Sequence, residues 1–335
     1  MDVTILQWNA RSFMSNRSSL EYFLSCQDIS ILAITETWFQ KEKTYVFSNY
    51  NIVREDRDDG KGGAAIFVHR NQPYNVVAIN LGSLDPKRCQ SCGIYLMVEN
   101  VKLYVISIYV APNYYISVNE WNDFLSRLPK PVILCGDFNA HHFSWDSNFS
   151  DKYGNNFLEA IENNNLYILN NGKPTLKFKN NMSVVDISLC SHNFAHRIDW
   201  NVCDDSLGSD HYPILLKLRG VPRTRKYNPS WNCKKADWTK YQSEIGKNLE
   251  SFNSNDPVRA YDFFINAINS AARKSIPIKN GDLNAKCAKP VWWDEECDKL
   301  IRERRKAEKI YRQKSSYENF VVCNTINSNI VESCG

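Results

Sequence analysis

No stretch of the 335-residue chain approaches the ~18 consecutive apolar residues that a membrane-spanning helix requires, so no such helix is expected. A basic segment followed by a hydrophobic one is also missing behind Met1. The chain enters a strand-like run, Val3 to Trp8, at once, and no secretory leader is expected. The eleven cysteines follow no regular framework and, in a protein expected to stay inside the cell, read as buried or free thiols. Their one close pair, Cys89 and Cys92, has neither a second pair nor histidines at ligand spacing to complete a zinc site. Internal repeats and low-complexity tracts are absent. What is present is a globular composition, 43% hydrophobic, 13% aromatic and 23% charged, which excludes a disordered or fibrous chain.

The net charge of +4 hides an asymmetry. Residues 1–219 carry 20 Lys and Arg against 23 Asp and Glu, and residues 220–335 carry 21 against 14. The acidic-leaning part is compatible with a carboxylate metal site. The basic part suits phosphate contacts or a solvated helical surface.

Short apolar runs fill residues 1–218, separated by turns. Strands are expected at Val3–Trp8, Ile29–Thr35, Gly63–His69, Asn75–Ile79, Cys92–Val98, Lys102–Tyr109, Val132–Cys135, Val184–Leu189, Ile198–Val202 and Ile214–Leu218. Helices are expected at Ser18–Ser25, Ser117–Leu128 and Asn155–Asn164. So many strands for so few helices predict an α/β fold of two packed mixed sheets flanked by helices, a four-layer sandwich. A polar, proline-bearing segment at 220–229 reads as a linker. Beyond it, residues 230–318 read as a basic helical connector with helices at Asp237–Leu249, Asp256–Lys274 and Trp292–Tyr317. Residues 319–335 show no pattern and are expected to be irregular.

The strongest local signal is Val132-Ile133-Leu134-Cys135-Gly136-Asp137-Phe138-Asn139, a strand that ends by presenting Asp137 and Asn139 one residue apart. Alternation points both side chains the same way. There a carboxylate can orient or deprotonate a water, and a carboxamide can bond a phosphate oxygen. Other strands also close on polar residues: Trp8-Asn9, Thr35-Glu36-Thr37 and Tyr109 ahead of Ala111-Pro112-Asn113. Asp186 lies inside an apolar run, where a carboxylate is costly unless paired, and the histidine of Gly208-Ser209-Asp210-His211 is the natural partner.

In order and approximate spacing these segments resemble the endonuclease/exonuclease/phosphatase superfamily over residues 3 to about 218. Within it, Gln7-Trp8-Asn9-Ala10-Arg11-Ser12, Gly62-Gly63-Ala64-Ala65-Ile66, Ala140-His141-His142, Trp145-Asp146-Ser147 and Lys173-Pro174-Thr175 resemble the endonuclease domain of jockey-type non-LTR retrotransposons. Trp238, Trp292-Trp293-Asp294 and the basic helix that follows resemble its connector to a reverse transcriptase.

The resemblance implies an Mg2+-dependent endodeoxyribonuclease, with Mn2+ an alternative, that nicks one DNA strand to leave a 3′-hydroxyl. It makes Glu36 the principal metal ligand, with Asn9 and Asp210 near the same site. Asp137 would serve the attacking water, Asn139 would hold it and the phosphate, Tyr109 would meet a phosphate oxygen, and His211 would be oriented by Asp186. Arg11, Thr175, Ser209, His142 and Trp145 are the candidates for substrate contact. Abasic-site endonucleases carry an acid where this chain has Arg11, which argues against repair as the main task. The implied partners are double-stranded DNA, element RNA and a reverse transcriptase domain outside these residues, with no membrane, and the implied compartment is the nucleus. Readings left open are a phosphatase or RNA nuclease of the same fold, and an inactive element fragment that binds nucleic acid.

Overall fold

The computed structural model describes residues 3–220, 230–249, 256–279, 290 and 292–334. In chain order the strands up to residue 220 are β1 (Val3–Asn9), β2 (Ile31–Thr35), β3 (Tyr50–Glu55), β4 (Ala64–His69), β5 (Asn75–Val77), β6 (Cys89–Val98), β7 (Val101–Val110), β8 (Val132–Asp137), β9 (Leu166–Ile168), β10 (Leu176–Phe178), β11 (Asn181–Ser183), β12 (Asp186–Ser191), β13 (Ile198–Val202) and β14 (Ile214–Leu218). The helices of this part are α1 (Phe13–Cys26), α2 (Val118–Arg127) and α3 (Lys152–Asn163).

They form two six-stranded mixed sheets, ordered β13-β14-β1-β2-β4-β3 and β5-β6-β7-β8-β12-β9, with β10 and β11 as a separate hairpin. Alternation sorts each strand between two cores. Ile5, Ile31, Ala33 and Ile66 face the space between the sheets with Ile94, Val105, Ile133 and Cys135. Leu6, Trp8, Leu32, Ile34 and Phe67 face outward onto Phe13, Leu20 and Phe23 of α1. On the other side Ile106, Val132, Leu134 and Leu189 face Trp121, Phe124 and Phe157 of α2 and α3. The result is the helix, sheet, sheet, helix layering read from the sequence. Strands buried on both faces carry continuous apolar runs, which is why β8 is buried at all six positions. Helix α2 starts where expected because Ser117 and Glu120 form a reciprocal capping box.

Gly136, one residue before Asp137, is required by a close approach. A Cβ there would lie 2.3 Å from the Ile108 carbonyl oxygen of the neighbouring strand. Gly136→Ala is expected to cost roughly 1–3 kcal/mol by forcing β7 and β8 apart. A correspondingly lowered urea midpoint is the check, and an unchanged midpoint would refute the packing argument.

The rest of the chain divides differently from one continuous connector. Lys226–Ala285 is a compact unit of its own, whereas Lys286–Gly335 groups with Met1–Arg225. The expected linker lies, apart from Gly220, outside the described residues. The smaller unit holds β15 (Ser230–Trp231) paired with β16 (Ile278–Lys279), and α4 (Trp238–Leu249) packed on α5 (Pro257–Ser275). Its helices are joined by the Lys274–Glu244 ion pair at 2.6 Å.

In the larger unit α6 (Glu295–Gln313) and α7 (Tyr317–Cys334) pack together and onto the two-sheet domain. The stretch expected to be irregular is therefore a helix. Its many Asn, Ser, Thr and Val residues are weak helix formers, and tertiary burial of Cys323 against Ala307 and Tyr311, and of Ile330 against Cys297 and Ile301, overrides them. The all-thiol expectation is also corrected, because Cys297 is disulfide-bonded.

Candidate active site

Register brings the expected residues to one end of the paired sheets. Asp137 closes β8, with Tyr109 of the parallel strand β7 beside it and Asp186 of the antiparallel strand β12 on its other side. From the facing sheet comes Asn9, the last residue of β1, paired in register with Thr35, so that Glu36 follows directly. The Asn9 amide donates to Asp137 Oδ2 at 2.8 Å and to Glu36 Oε1 at 3.0 Å, tying the two sheets together. A second tie lies one layer deeper and was not anticipated from the sequence. Gln7 donates to the carbonyls of Gly136 and Ile187 at 3.1 and 3.2 Å, and Ser188 donates to Gln7 Oε1 at 2.6 Å.

Three of these strands turn into their loops through a non-glycine residue in the left-handed region: Arg11 (φ 41°), Glu36 (φ 47°) and Asn139 (φ 47°). Each such residue costs roughly 1 kcal/mol or more and persists only where the surroundings impose it. Here the strain coincides with side chains turned toward the site. Asn139 donates to the Val110 carbonyl at 2.9 Å and to Asp137 Oδ2 at 3.2 Å.

The expected acid–histidine pair is present. His211 Nδ1 lies 2.8 Å from Asp186 Oδ2, and both side chains are buried. Burial works against a charge on His211. The Asp186 charge and hydrogen bond, with Asp210 and Asp137 behind them, outweigh it and push the imidazolium up to about 10. Burial first, and then the Asp186 charge, push Asp137 up to about 8 against the pull of His211 and the Asn9 amide. Burial, Glu36 and Asp137 raise the Tyr109 phenol, which keeps its O–H as a donor. The ligand atoms of Asp137, Asp186 and His211 lie within 4.8 Å of one another and could hold a metal ion.

The donor chemistry fits a hard divalent cation. Carboxylate oxygens dominate the site, and Asp186 Oδ1 is buried without a hydrogen-bond partner. The expected ligands themselves differ in placement. Glu36 and Asn9 join this cluster, whereas the Asp210 carboxylate carries the Arg11 guanidinium as an ion pair.

Several substrate candidates are corrected. Trp145 is fully buried, with its indole donating to the Ala140 carbonyl at 3.3 Å, so it shapes the loop and cannot reach a ligand. Thr175 is likewise fully buried, and its oxygen accepts from the backbone of Val185 and Asp186 at 3.3 and 3.2 Å. Ser209 donates to the Asn9 carbonyl at 2.8 Å and accepts from the His211 backbone at 3.1 Å. Both hydroxyls stand behind the site and hold its members. His142 is half-buried and accepts from Ser144 at 2.9 Å to start a 3-10 turn. Arg11 remains exposed at the rim.

Other residues come to the site only through the fold. Trp38, 38% exposed, points its indole N–H at Glu36 Oε2 from 3.3 Å. Arg57, paired with Asp59 at 2.8 Å, also lies within electrostatic reach of Glu36 and close to the Tyr109 ring. Gly62 makes room for both, since a Cβ there would lie 2.7 Å from the Tyr109 ring and 3.2 Å from Arg57 Nη1.

Residues 103–215 match the family described as Endonuclease-reverse transcriptase. The RNA-directed DNA polymerase from mobile element jockey of Drosophila melanogaster is 23% identical over 313 residues, 91% of this chain and 33% of that protein. The chain has the fold of the endonuclease/exonuclease/phosphatase superfamily. In sequence it is similar to proteins of jockey-type non-LTR elements. Two solved superfamily structures share the fold. The endonuclease domain of TRAS1, a telomere-specific non-LTR retrotransposon, superposes with a TM-score of 0.52 at 23% identity, covering 65% of this chain and 98% of its own. An AP endonuclease from Archaeoglobus fulgidus gives a TM-score of 0.52 at 16% identity, covering 65% and 99%. The chain thus spans about a third of the length of the jockey protein it matches. No helix among its described residues is long and apolar enough to cross a membrane.

Proposed function

We propose that the protein is a divalent-metal-dependent endodeoxyribonuclease that nicks one strand of double-stranded DNA and leaves a 3′-hydroxyl and a 5′-phosphate. The observation that carries the reading is the row Tyr109, Asp137, Asp186–His211 set in register on one sheet and tied through Asn9 to Glu36 on the other.

Mg2+ is the cation best suited to these oxygens; when bound by Glu36, with Asn9 and the Asp137–Asp186–His211 cluster nearby, it would neutralise phosphate charge and acidify water. The remaining chemistry belongs to the side chains. Asp137, with a proton affinity raised toward neutral pH, takes the proton of the attacking water, while Asn139 orients that water and the phosphate. The water oxygen bonds to phosphorus, the bond to O3′ opens, and O3′ gains a proton. His211, held charged by Asp186, and the Tyr109 O–H donate to the non-bridging oxygens where negative charge accumulates.

In a longer element protein the 3′-hydroxyl would prime reverse transcription in the nucleus. The basic part, residues 220–335, would then serve element RNA, flanking DNA or a polymerase domain. The test is conversion of supercoiled plasmid to open circle in Mg2+, abolished by EDTA, with the nick extendable by a DNA polymerase. A folded chain that leaves the plasmid intact, or that releases phosphate from a monoester instead, would sink this reading.

A further inference from the structure

Helix α6 carries buried charge against the loop that bears two members of the site. Glu308 is fully buried and bonded to Lys177 Nζ at 2.9 Å, and it accepts the Ser206 backbone N–H at 3.0 Å and also the Ser206 hydroxyl. Lys177, itself 1% exposed, adds a bond to Ser206 Oγ at 3.0 Å. One turn earlier, Arg304, also 1% exposed, pairs with Asp205 Oδ1 at 2.8 Å and reaches Ser19 of α1 at 3.0 Å, while Arg305 takes Asp205 Oδ2 at 2.8 Å. Asp205 Oδ1 in turn accepts the Leu207 N–H at 3.0 Å.

These contacts fall on Asp205, Ser206 and Leu207, which are separated only by Gly208 from Ser209, Asp210 and His211. Lys177 closes the circuit from the other side. Its backbone N–H donates to the Asp210 carbonyl at 2.9 Å, and its neighbour Leu176 bridges to His211. So much buried charge is poor scaffolding, since a buried ion pair is often replaceable by apolar side chains without loss of stability. It does fix geometry. The two-sheet fold does not demand such a helix, because 65% of this chain, a share no larger than the two-sheet domain, covers 98% of the TRAS1 endonuclease.

We propose that Glu308 and Arg304 are positioning residues for catalysis: through Asp205, Ser206 and Lys177 they set the loop that places Asp210 and His211. This rests on the hydrolase reading of the site. Displacement of a catalytic group by even an ångström from a distant change can cost up to about 10²-fold in rate.

The full chain should be compared as wild type, Glu308→Gln, the double variant Lys177→Met with Glu308→Met, and Ile301→Ala. The last trims the apolar seat of α6 without touching the polar circuit. Glu308→Gln is expected to lower kcat for plasmid nicking roughly ten-fold while KM moves less than about three-fold. It should also speed hydrogen exchange in residues 205–211 but not in β8 or β12. The double variant should regain the melting temperature yet keep the low kcat. Unchanged exchange in 205–211, recovery of kcat together with stability in the double variant, or an equal kcat loss in folded Ile301→Ala would each overturn the proposal. If wild type does not nick at all, the hydrolase reading fails by itself, and proposals of catalytic positioning fall with it, while the exchange comparison still decides whether α6 orders the loop.

Discussion

His211→Ala is expected to lower metal-dependent nicking by on the order of 10³-fold, because it removes the buried cationic donor aimed at the phosphate. Asp186→Asn should lose a comparable factor at neutral pH by a different route. In the native protein, burial disfavours the imidazolium and Asp186 overrules it, giving a value of about 10, so the ring is charged throughout the physiological range. Without the carboxylate, burial prevails and the ring becomes neutral near or below its ordinary value of roughly 6.5. The histidine proton NMR signals of the metal-free protein provide the check. With six histidines in the chain, the signal absent from His211→Ala identifies the ring. It should titrate near 10 in wild type and several pH units lower in Asp186→Asn. A His211 signal that titrates near 6.5 in wild type would refute the charged-donor role, whatever the nicking rates.

The second large effect concerns stability. Lys177→Met leaves the Glu308 carboxylate fully buried without its cation, and an uncompensated buried charge of this kind typically costs about 3–5 kcal/mol. The same circuit predicts an acid limit. Asp205 is disfavoured as an anion by burial, but Arg304 and Arg305 more than compensate and hold it below the ordinary carboxylate range. A carboxyl with a depressed folded-state value contributes stability above its unfolded value, and that contribution is lost as pH falls through the folded value. The loss should therefore begin below about pH 4. Urea midpoints across pH 3 to 7 would measure both effects. A Lys177→Met midpoint within error of wild type would mean that α6 does not seal this pair. An Asp205→Asn variant with the same pH profile as wild type would assign the acid limb elsewhere.

Much of the site was legible because its chemistry follows strand ends. Trp8-Asn9, Thr35-Glu36, Tyr109, Asp137 and Asp186 each sit where an apolar run stops or is interrupted, and their order along the chain carries the family resemblance. The pairing of Asp186 with His211 followed from the cost of a carboxylate among valine and isoleucine. Hydroxyls and aromatics were not legible in the same way. Thr175, Ser209 and Trp145 lie as near to the motif residues in sequence as true contact residues would, and only packing shows that they face inward. Trp38 and Arg57 had no such signal, since their approach depends on a left-handed turn and on the space left by Gly62.

The sequence by itself determined the two-sheet sandwich, its flanking helices and the strand ends that carry the candidate acids, because hydrophobic alternation and strand termini are local properties of the chain. Tertiary structure alone decided which backbone carries those groups in strained conformations, and how Gln7 and Asn9 lock one sheet to the other. It also decided that the last helices belong with the two-sheet unit. Arg304 and Glu308 occupy a run that reads as solvated charge, and their burial is fixed by partners more than 90 residues away, Asp205 and Lys177 among them. Such pairing leaves no mark on composition or periodicity, since it satisfies a desolvation penalty that exists only once the helix has docked.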